Sequence, residues 1–145
     1  MNDLLLICLI AGRRAAISAA RVLSVIEIEA ITPIPRTPDF IVGVTALRSQ
    51  ALTVIDCRVS LGFPASETVV GSRAAVVEHE GHRYALLVDE AFDVAVAQSD
   101  PVKVPGGFGA GWKRAAAGMV ETEGGPALLV DVEQLIRGPK ERAAA

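Results

Sequence analysis

Residues 40–62 read FIVGVTALRSQALTVIDCRVSLG, and this stretch decides the fold that the rest of the chain must fit. Two apolar runs rich in β-branched residues, 41–47 and 52–55, flank a polar break at residues 48–50. Runs of this kind, bounded by turn residues, predict an antiparallel β-hairpin. Arg48 then lies at the turn, on a surface poor in charge, where an arginine serves recognition more often than catalysis.

A short helix is expected directly after this hairpin. Asp56 can cap it, because its carboxylate accepts the amide protons that the first helical turn leaves free. Gly62 and Pro64 end the helix, since glycine tolerates a left-handed conformation and proline cannot continue a helix. A similar pattern returns late in the chain, where an apolar run leads to Asp131 and a helix over 132–136. This echo is compatible with two similar halves, but the pattern is a common one.

The other strands are predicted to be short and separated by polar or glycine-containing turns. They are expected at 4–10, 15–17, 24–28, 73–78, 84–88, 92–96, 115–120 and 127–130. The segments between them are predicted as a helical turn at 19–23, a proline-containing connection at 31–38, and loops at 64–72 and 98–112. Roughly nine or ten strands with short helices indicate an all-β fold, in which closure into barrels removes exposed sheet edges.

Composition restricts the class of protein. A chain of 145 residues fits one domain, and its 51% hydrophobic content supplies a core without a metal or a disulfide. Cys8 and Cys57 lie in apolar surroundings and are interpreted as buried, reduced thiols in preference to a lone disulfide, which suits the cytoplasm. A net charge of −3 and an aromatic content of 4% argue against nucleic acid as a partner, since neither a basic stripe nor a stacking surface is available.

The apolar run at residues 4–12 is interpreted as a buried first strand. It follows Asn2 and Asp3, without the positive charge of a signal peptide, and precedes two arginines where small cleavage-site residues would be expected. It is also too short to cross a bilayer as a helix. Direct membrane insertion is therefore not expected.

Three sequence patterns that could carry chemistry are better explained without it. Residues 78–82 read EHEGH, but a tight hairpin turn points neighbouring side chains apart, so no metal site is predicted. The glycine-rich residues 106–111 match no nucleotide-binding motif and are interpreted as a mobile loop in which Phe108 and Trp112 could be exposed to a partner. Both histidines lie in one turn and no nucleophile elbow is present, so the sequence predicts no enzyme and no cofactor.

The 40–62 stretch also carries a family resemblance. It is similar to the G-V-x-N-L-R-G-x-x-x-P-V-x-D-L-R-x-x-L-G segment of CheW-like chemotaxis coupling proteins. The matching residues are Gly43-Val44, Leu47-Arg48, Val54-Ile55-Asp56 and Leu61-Gly62. Residues 25–28 resemble the family's V-x-E-I segment, residues 87–90 its L-V-D-x-V strand, and residues 118–136 its closing segment. The departures are Ala46 for Asn, Ser49 for Gly and Thr53 for Pro.

The resemblance implies a fold of two packed, five-stranded, SH3-like β-barrels with short helices. Residues 1–145 would form one domain of two intertwined subdomains, at roughly 15–70 and 71–130, which share the terminal segments. Residues 138–145 are expected to form a frayed tail.

The resemblance further implies a cytoplasmic, non-catalytic adaptor. Its partners would be the cytoplasmic tip of chemoreceptors and the regulatory domain of a chemotaxis histidine kinase. In such an adaptor, Lys103 and Phe108 would lie near a second kinase-facing surface used to build receptor arrays. The expected partner-binding residues are Val25, Glu27, Val42, Gly43, Ala46, Leu47, Arg48, Val88, Lys103 and Phe108.

Two of these positions have competing interpretations. Glu27 and Arg48 are either unrelated surface charges or a partly buried ion pair that fixes the β-strand at residue 25 against the arginine-bearing turn. Gly43 either permits close approach or relieves strand twist. Two other functions stay open: a divergent scaffold or competitor that serves another kinase, and, from a different class, a small β-barrel ligand-binding protein or enzyme.

Overall fold

Ten β-strands and three short α-helices make up residues 3–139, the part of the chain that this computed structural model describes. A 3₁₀ turn, Ala19–Arg21, precedes the third strand. The strands are β1 Leu4–Ile10, β2 Arg13–Ser18, β3 Val22–Glu27, β4 Ile41–Leu47, β5 Gln50–Asp56, β6 Arg73–His79, β7 His82–Val88, β8 Glu90–Val96, β9 Ala116–Thr122 and β10 Gly125–Val130. The helices are α1 Cys57–Ser60, α2 Ala110–Ala115 and α3 Val132–Arg137. The predicted mostly-β class with short helices is confirmed.

The strands form two five-stranded sheets. Sheet I has the order β8-β1-β2-β10-β9, and sheet II has the order β3-β6-β7-β5-β4. Each sheet curls so that the chain beyond one edge strand meets the other edge strand. After β3, Thr32 exchanges two backbone hydrogen bonds of 2.8 and 2.9 Å with Val44, and after β8, Val102 does the same with Met119. The edges meet at these isolated bridges and not along a full ladder, so the barrels predicted from the sequence are not closed.

The boundary between the two halves differs from the predicted one. Strands β6 and β7, expected in the second subdomain, complete sheet II, and the first hairpin, β1–β2, belongs to sheet I. The parallel pairings β5 with β7 and β10 with β2 cause this arrangement, because each sheet takes its hairpin from the other part of the chain.

The two sheets are related by an internal repeat. Strands β1 to β5 with α1 correspond in order and pairing to strands β6 to β10 with α3. The register repeats as well, including one bulge. Leu6↔Val94 in sheet I corresponds to Val25↔Ala75 in sheet II, and Cys8↔Ala91 corresponds to Val22↔Val77. In the parallel pairings, Leu128↔Ala15 corresponds to Thr53↔Tyr84. Asp56 accepts from the Arg58 amide at 3.0 Å, and Asp131 accepts from the Gln134 amide at 3.3 Å, as predicted for both caps. The echo seen in the sequence therefore reflects two similar halves.

Three apolar clusters hold this arrangement together. One lies inside each curled sheet, and the third, the shared core, lies between the two sheets. Alternating residues of β1 show the division, since Leu6, Cys8 and Ile10 enter the shared core while Leu5 and Ile7 enter the interior of sheet I. Because strand side chains alternate between faces, every central strand is apolar on both sides, which explains its continuous apolar sequence.

Helix α2 lies where the sequence predicted only a loop. Trp112, expected to be exposed, is fully buried in the shared core. The helix can pack so closely because Gly111 has no side chain, and a Cβ there would lie 1.9 Å from the Leu61 carbonyl oxygen. Gly138, the first residue of the predicted tail, is buried against the Phe40 ring, and the tail beyond residue 139 lies outside the described residues.

Both thiols are free and fully buried, as predicted. Burial raises the pKa of the Cys8 thiol to about 12, with a smaller contribution from the Asp89 carboxylate, and it raises the pKa of Cys57 as well. The folded protein therefore keeps both protons at a pH where the unfolded chain, with a thiol pKa of 9.0, has begun to lose them. Stability contributed by Cys8 is complete below pH 9 and is lost as the pH rises towards 12.

We therefore expect alkaline pH to destabilise the protein through these thiols. The free energy of unfolding should fall by about 1.4 kcal/mol per pH unit for Cys8 within that window. Urea unfolding at pH 9, 10 and 11 measures this slope, and Cys8→Ala is the control that should lack the Cys8 share. Equal slopes for the two proteins would contradict the expectation.

Candidate functional site

Exposed apolar side chains line both sides of the boundary where the sheets meet. Val25 lies opposite Ala75 and Val94 opposite Leu6, and both partners belong to the shared core, so these two valines extend that apolar face to the surface. Strands β6 and β8 are in contact at this boundary. We call the following residues, which are 39% to 53% exposed, the seam strips: Leu23 and Val25 on β3, and Leu4, Phe92, Val94 and Val96 on β1 and β8. Apolar side chains grouped in this way are typical of a protein-contact surface.

The internal repeat relates the two seam strips. Leu23 and Val25 on β3 occupy the positions that Phe92 and Val94 occupy on β8. One strip was found from the sequence through Val25, whereas the other was missed. The sequence predicted a strand over residues 92–96, but only the long-range pairing of β8 with β1 shows which face is exposed.

Three of the predicted partner-binding residues, Val25, Glu27 and Val88, differ in how far they are exposed. Val25 and Glu27 are exposed on β3, and Glu27 pairs in register with Arg73. Val88 is only 6% exposed and belongs to the shared core, so it supports the surface from below and cannot form much of it.

The β4–β5 hairpin places its predicted residues at a second location. Val42 and Leu47 are half-buried against the interior cluster of sheet II, while Ala46 is exposed. Gly43 is buried, and a Cβ there would lie 2.3 Å from the Thr32 carbonyl oxygen. The group that approaches Gly43 is the protein's own backbone, so the glycine is required by the fold, and a role of Gly43 in partner binding stays a prediction.

The structure forms no ion pair between Glu27 and Arg48 within residues 3–139, so that prediction is wrong. The chain after β3 does pass along β4, where Thr45 donates its hydroxyl hydrogen bond to the Ala30 carbonyl at 2.6 Å. Both charged side chains are exposed, however, and water solvates each of them, so little free energy is available to hold them together. Glu27 on β3 and Arg48 in the β4–β5 turn are therefore two separate exposed charges.

Arg48 and Ser49 form a strained two-residue turn. Their φ angles are 52° and 70°, and Leu47 pairs directly with Gln50, which is the pattern of a type I′ turn. Residues with a Cβ adopt a positive φ at a cost in free energy, which glycine avoids.

Ser49→Gly should therefore stabilise the protein by about 0.5–1 kcal/mol. Thermal unfolding measures the effect, with Ser24→Gly in the extended strand β3 as the control that should destabilise; a lower melting temperature for Ser49→Gly would contradict it.

Lys103 and Phe108 lie at a third location, a cavity of about 610 Å³ between the 103–109 loop, α2 and the start of β9. Phe108 is half-buried, packs against the shared core and lies beneath the Arg13 guanidinium, whose carbon is 4.8 Å from the ring centre. The expected exposed aromatic anchor is thus only partly exposed. No seam-strip residue lines this cavity.

Two polar networks join separate elements of the fold. The Asp89 carboxylate accepts from the Gly12 amide at 2.9 Å and pairs with Arg58 at 3.2 Å, which ties the β1–β2 turn of sheet I to α1. Arg114 donates to the carbonyls of Gln134 and Ser60 and so joins α2 to both other helices. Its partial burial lowers the pKa of the guanidinium, and Asp131 opposes that shift.

The described residues hold no candidate for two other kinds of site. Residues 3–139 contain no cluster of three or more His, Cys, Asp or Glu side chains able to hold a metal ion. None of the helices in that range is long and apolar enough to cross a membrane.

These features define a class of protein, a β-sheet domain whose distinctive surface features are an apolar seam, a strained hairpin turn and a cavity beside a glycine-rich loop. The family can be stated more narrowly. The model of the CheW-like domain matches residues 4–140, so the chain belongs to the CheW-like domain family, and the resemblance seen in the sequence is confirmed.

Individual relatives agree with this assignment. The chain is 26% identical over 114 residues to a chemotaxis protein CheW of Rhizobium meliloti, covering 78% of this chain and 74% of that protein. It is 26% identical over 102 residues to a chemotaxis protein CheW of Bacillus subtilis, covering 70% of this chain and 65% of the relative. The crystal structure of the scaffolding protein TtCheW from Thermoanaerobacter tengcongensis has the same fold, with a TM-score of 0.78, 24% identity, and coverage of 93% of this chain and 88% of that one.

Proposed function

We propose that this protein is a cytoplasmic, non-catalytic adaptor that couples the cytoplasmic tips of chemoreceptors to the regulatory domain of a chemotaxis histidine kinase. The observation that carries the proposal is the pair of apolar seam strips, one on each sheet, in a member of the CheW-like domain family. Relatives named as chemotaxis proteins supply the pathway.

The seam strips suit an elongated apolar partner. Val25 and Val94 occupy equivalent positions of the internal repeat, so the surface is approximately two-fold symmetric. Two antiparallel helices are related by a similar two-fold axis, and a helical hairpin can present an apolar stripe to both strips at once. Such contacts depend on a few buried apolar anchors, with polar residues such as Glu27 and Arg73 at the rim. We assign the receptor tip to this surface.

The kinase would contact the other two locations. The β4–β5 turn with Ala46 and Arg48, and the loop with Lys103 and Phe108, share no residue with the seam strips. An adaptor needs such separation, because receptor and kinase must be held at the same time. Catalysis is not required for this role, and His79 and His82, the only histidines, both flank one hairpin turn.

A divergent scaffold or competitor for another kinase is the second candidate function. One observation favours it: Glu27 and Arg48 do not pair, and Ala46 and Ser49 depart from the family pattern at the same hairpin. A small ligand-binding barrel is less well supported, because apolar side chains such as Leu52, Val54 and Val76 fill the interior of sheet II.

Binding to purified partners tests the proposal. The full chain should co-sediment with receptor arrays and bind the kinase regulatory domain, and both partners together should be retained in one ternary complex. Turnover of nucleotides or ester substrates should be absent. Binding of the kinase domain without the receptor tip would favour the competitor, while binding of neither, or hydrolysis abolished by one point substitution, would overturn the adaptor proposal.

A further inference from the structure

The cavity beside the 103–109 loop has a local charge opposite to that of the whole protein. The chain has a net charge of −3, yet Lys103 and Lys113 are the only charged residues among the described residues that line the cavity. Arg13 adds a third cation, stacked on Phe108 at the cavity wall. Neither lysine forms an ion pair with any residue in the range 3–139. The cavity is therefore a cationic site without an internal counter-charge.

The rest of the lining is apolar or has no side chain. Val104, Pro105, Phe108 and Ala116 supply apolar surface, and the glycines of the loop leave the backbone accessible. A volume of about 610 Å³ lies within the range of clefts that take a small ligand or a few side chains. Phe108 and Ala116 also pack against the shared core, so the floor of the cavity is supported.

The position of the two lysines restricts what can enter. Lys103 lies on the chain segment just after Val102, which bridges to β9, and Lys113 lies on α2, so the charges come from two different elements beside one apolar floor. A lone anion would leave the apolar floor uncovered, and a purely apolar group would leave two lysines facing it without compensation. A segment with an apolar side chain next to carboxylates satisfies both conditions.

We infer that this cavity docks an acidic, apolar-anchored segment of a protein partner, in which one large apolar side chain lies between Asp or Glu residues. The inference rests on the proposed adaptor function, since it names the chemistry of the segment that the Lys103 and Phe108 surface receives. The anchor fills the space beside Phe108, while the carboxylates pair with Lys103 and Lys113. Charge pairs at the rim mainly set the association rate and the choice of partner, and the apolar anchor supplies the affinity.

A titration with synthetic peptides tests this inference on the full chain. The probe is a nine-residue peptide in which one leucine lies between two glutamates within a glycine–serine context, observed through the amide shifts of isotopically labelled protein. One control peptide replaces both glutamates with lysine, and the other replaces the leucine with serine. Saturable shifts confined to residues 102–118 are expected with the probe alone.

Charge-reversal variants give the second readout. Lys103→Glu combined with Lys113→Glu should weaken probe binding about tenfold or more, whereas Arg21→Glu with Arg36→Glu, which changes the net charge equally at exposed or partly exposed sites elsewhere, should leave it within about twofold. Equal binding of the lysine peptide, equal binding of the serine peptide, or an unchanged Kd in the Lys103/Lys113 variant would each overturn the inference. Circular dichroism of each variant checks that the fold is retained.

The failure of the adaptor proposal would look different. Receptor-tip and kinase-domain binding are measured with the same protein preparations. If wild type binds both partners but not the probe, the docking inference alone is wrong. If it binds the probe but neither partner, the cavity chemistry holds and the adaptor proposal is wrong.

Discussion

Gly111→Ala is expected to destabilise the protein by at least about 3 kcal/mol, enough to leave much of it unfolded or aggregated at 37 °C. In an ordinary helix this substitution would be favourable by about 1 kcal/mol, because alanine has the higher helix propensity. Here the new Cβ would lie 1.9 Å from the Leu61 carbonyl oxygen and 2.5 Å from the carbonyl carbon, both backbone atoms that no rotamer change can move. Helix α2 would have to separate from the end of α1, which would expose Trp112 and disturb the Arg114 hydrogen bonds.

Gly106→Ala is the matched control, since its Cβ would meet no atom within 4 Å and its φ is not positive. Urea unfolding followed by circular dichroism and by Trp112 fluorescence should show a large loss for Gly111→Ala and a change of less than about 0.5 kcal/mol for Gly106→Ala. A Gly111→Ala protein as stable as wild type would show that α2 does not pack against Leu61 as described.

The sequence predicted correctly those elements that are determined by a few neighbouring residues. The β4–β5 hairpin, its turn at Arg48 and the capping carboxylates of Asp56 and Asp131 all appear where the sequence indicated, because β-branched runs and cap residues act within a few positions. Helix α2 was not predicted. Its sequence, Ala110 to Ala115 with an internal glycine, carries no strong helix signal, and burial of Trp112 stabilises it instead.

The other features that the sequence did not predict depend on strand pairing between distant parts of the chain. The exchange of hairpins between the sheets depends on the parallel pairings of β5 with β7 and of β10 with β2, which no local pattern encodes. The same limit applies to the candidate site. Val25 was found through its family segment, but Phe92, Val94 and Val96 lie in a segment with no such match, and only their pairing with β1 shows that they flank the same boundary. The opposite charges of Glu27 and Arg48 suggested an ion pair, but both side chains are exposed, so water solvates the charges without one.

The internal repeat gives the adaptor proposal its most demanding test. If both seam strips contact one helical hairpin, then the equivalent residues Val25 and Val94 should matter to a similar degree. Val25→Asp and Val94→Asp should each weaken binding of the receptor tip by about tenfold or more, because each places a charge that the apolar contact must desolvate without a partner. The double variant should reduce binding below detection, a loss of roughly 100-fold.

Folding should survive these changes, because both side chains are already exposed, at 39% and 52%, and an aspartate on an edge strand costs only about 1 kcal/mol. Val70→Asp is the control, since Val70 is 57% exposed, lies in the loop before β6 and belongs to neither strip. Binding is measured by co-sedimentation with receptor arrays and by titration of the isolated receptor tip, with the kinase regulatory domain titrated in parallel. Kinase binding should change by less than about twofold, because the kinase is assigned to the other two locations. A receptor affinity that responds to Val25→Asp but not to Val94→Asp would restrict the contact to β3 and remove the two-strip surface from the proposal.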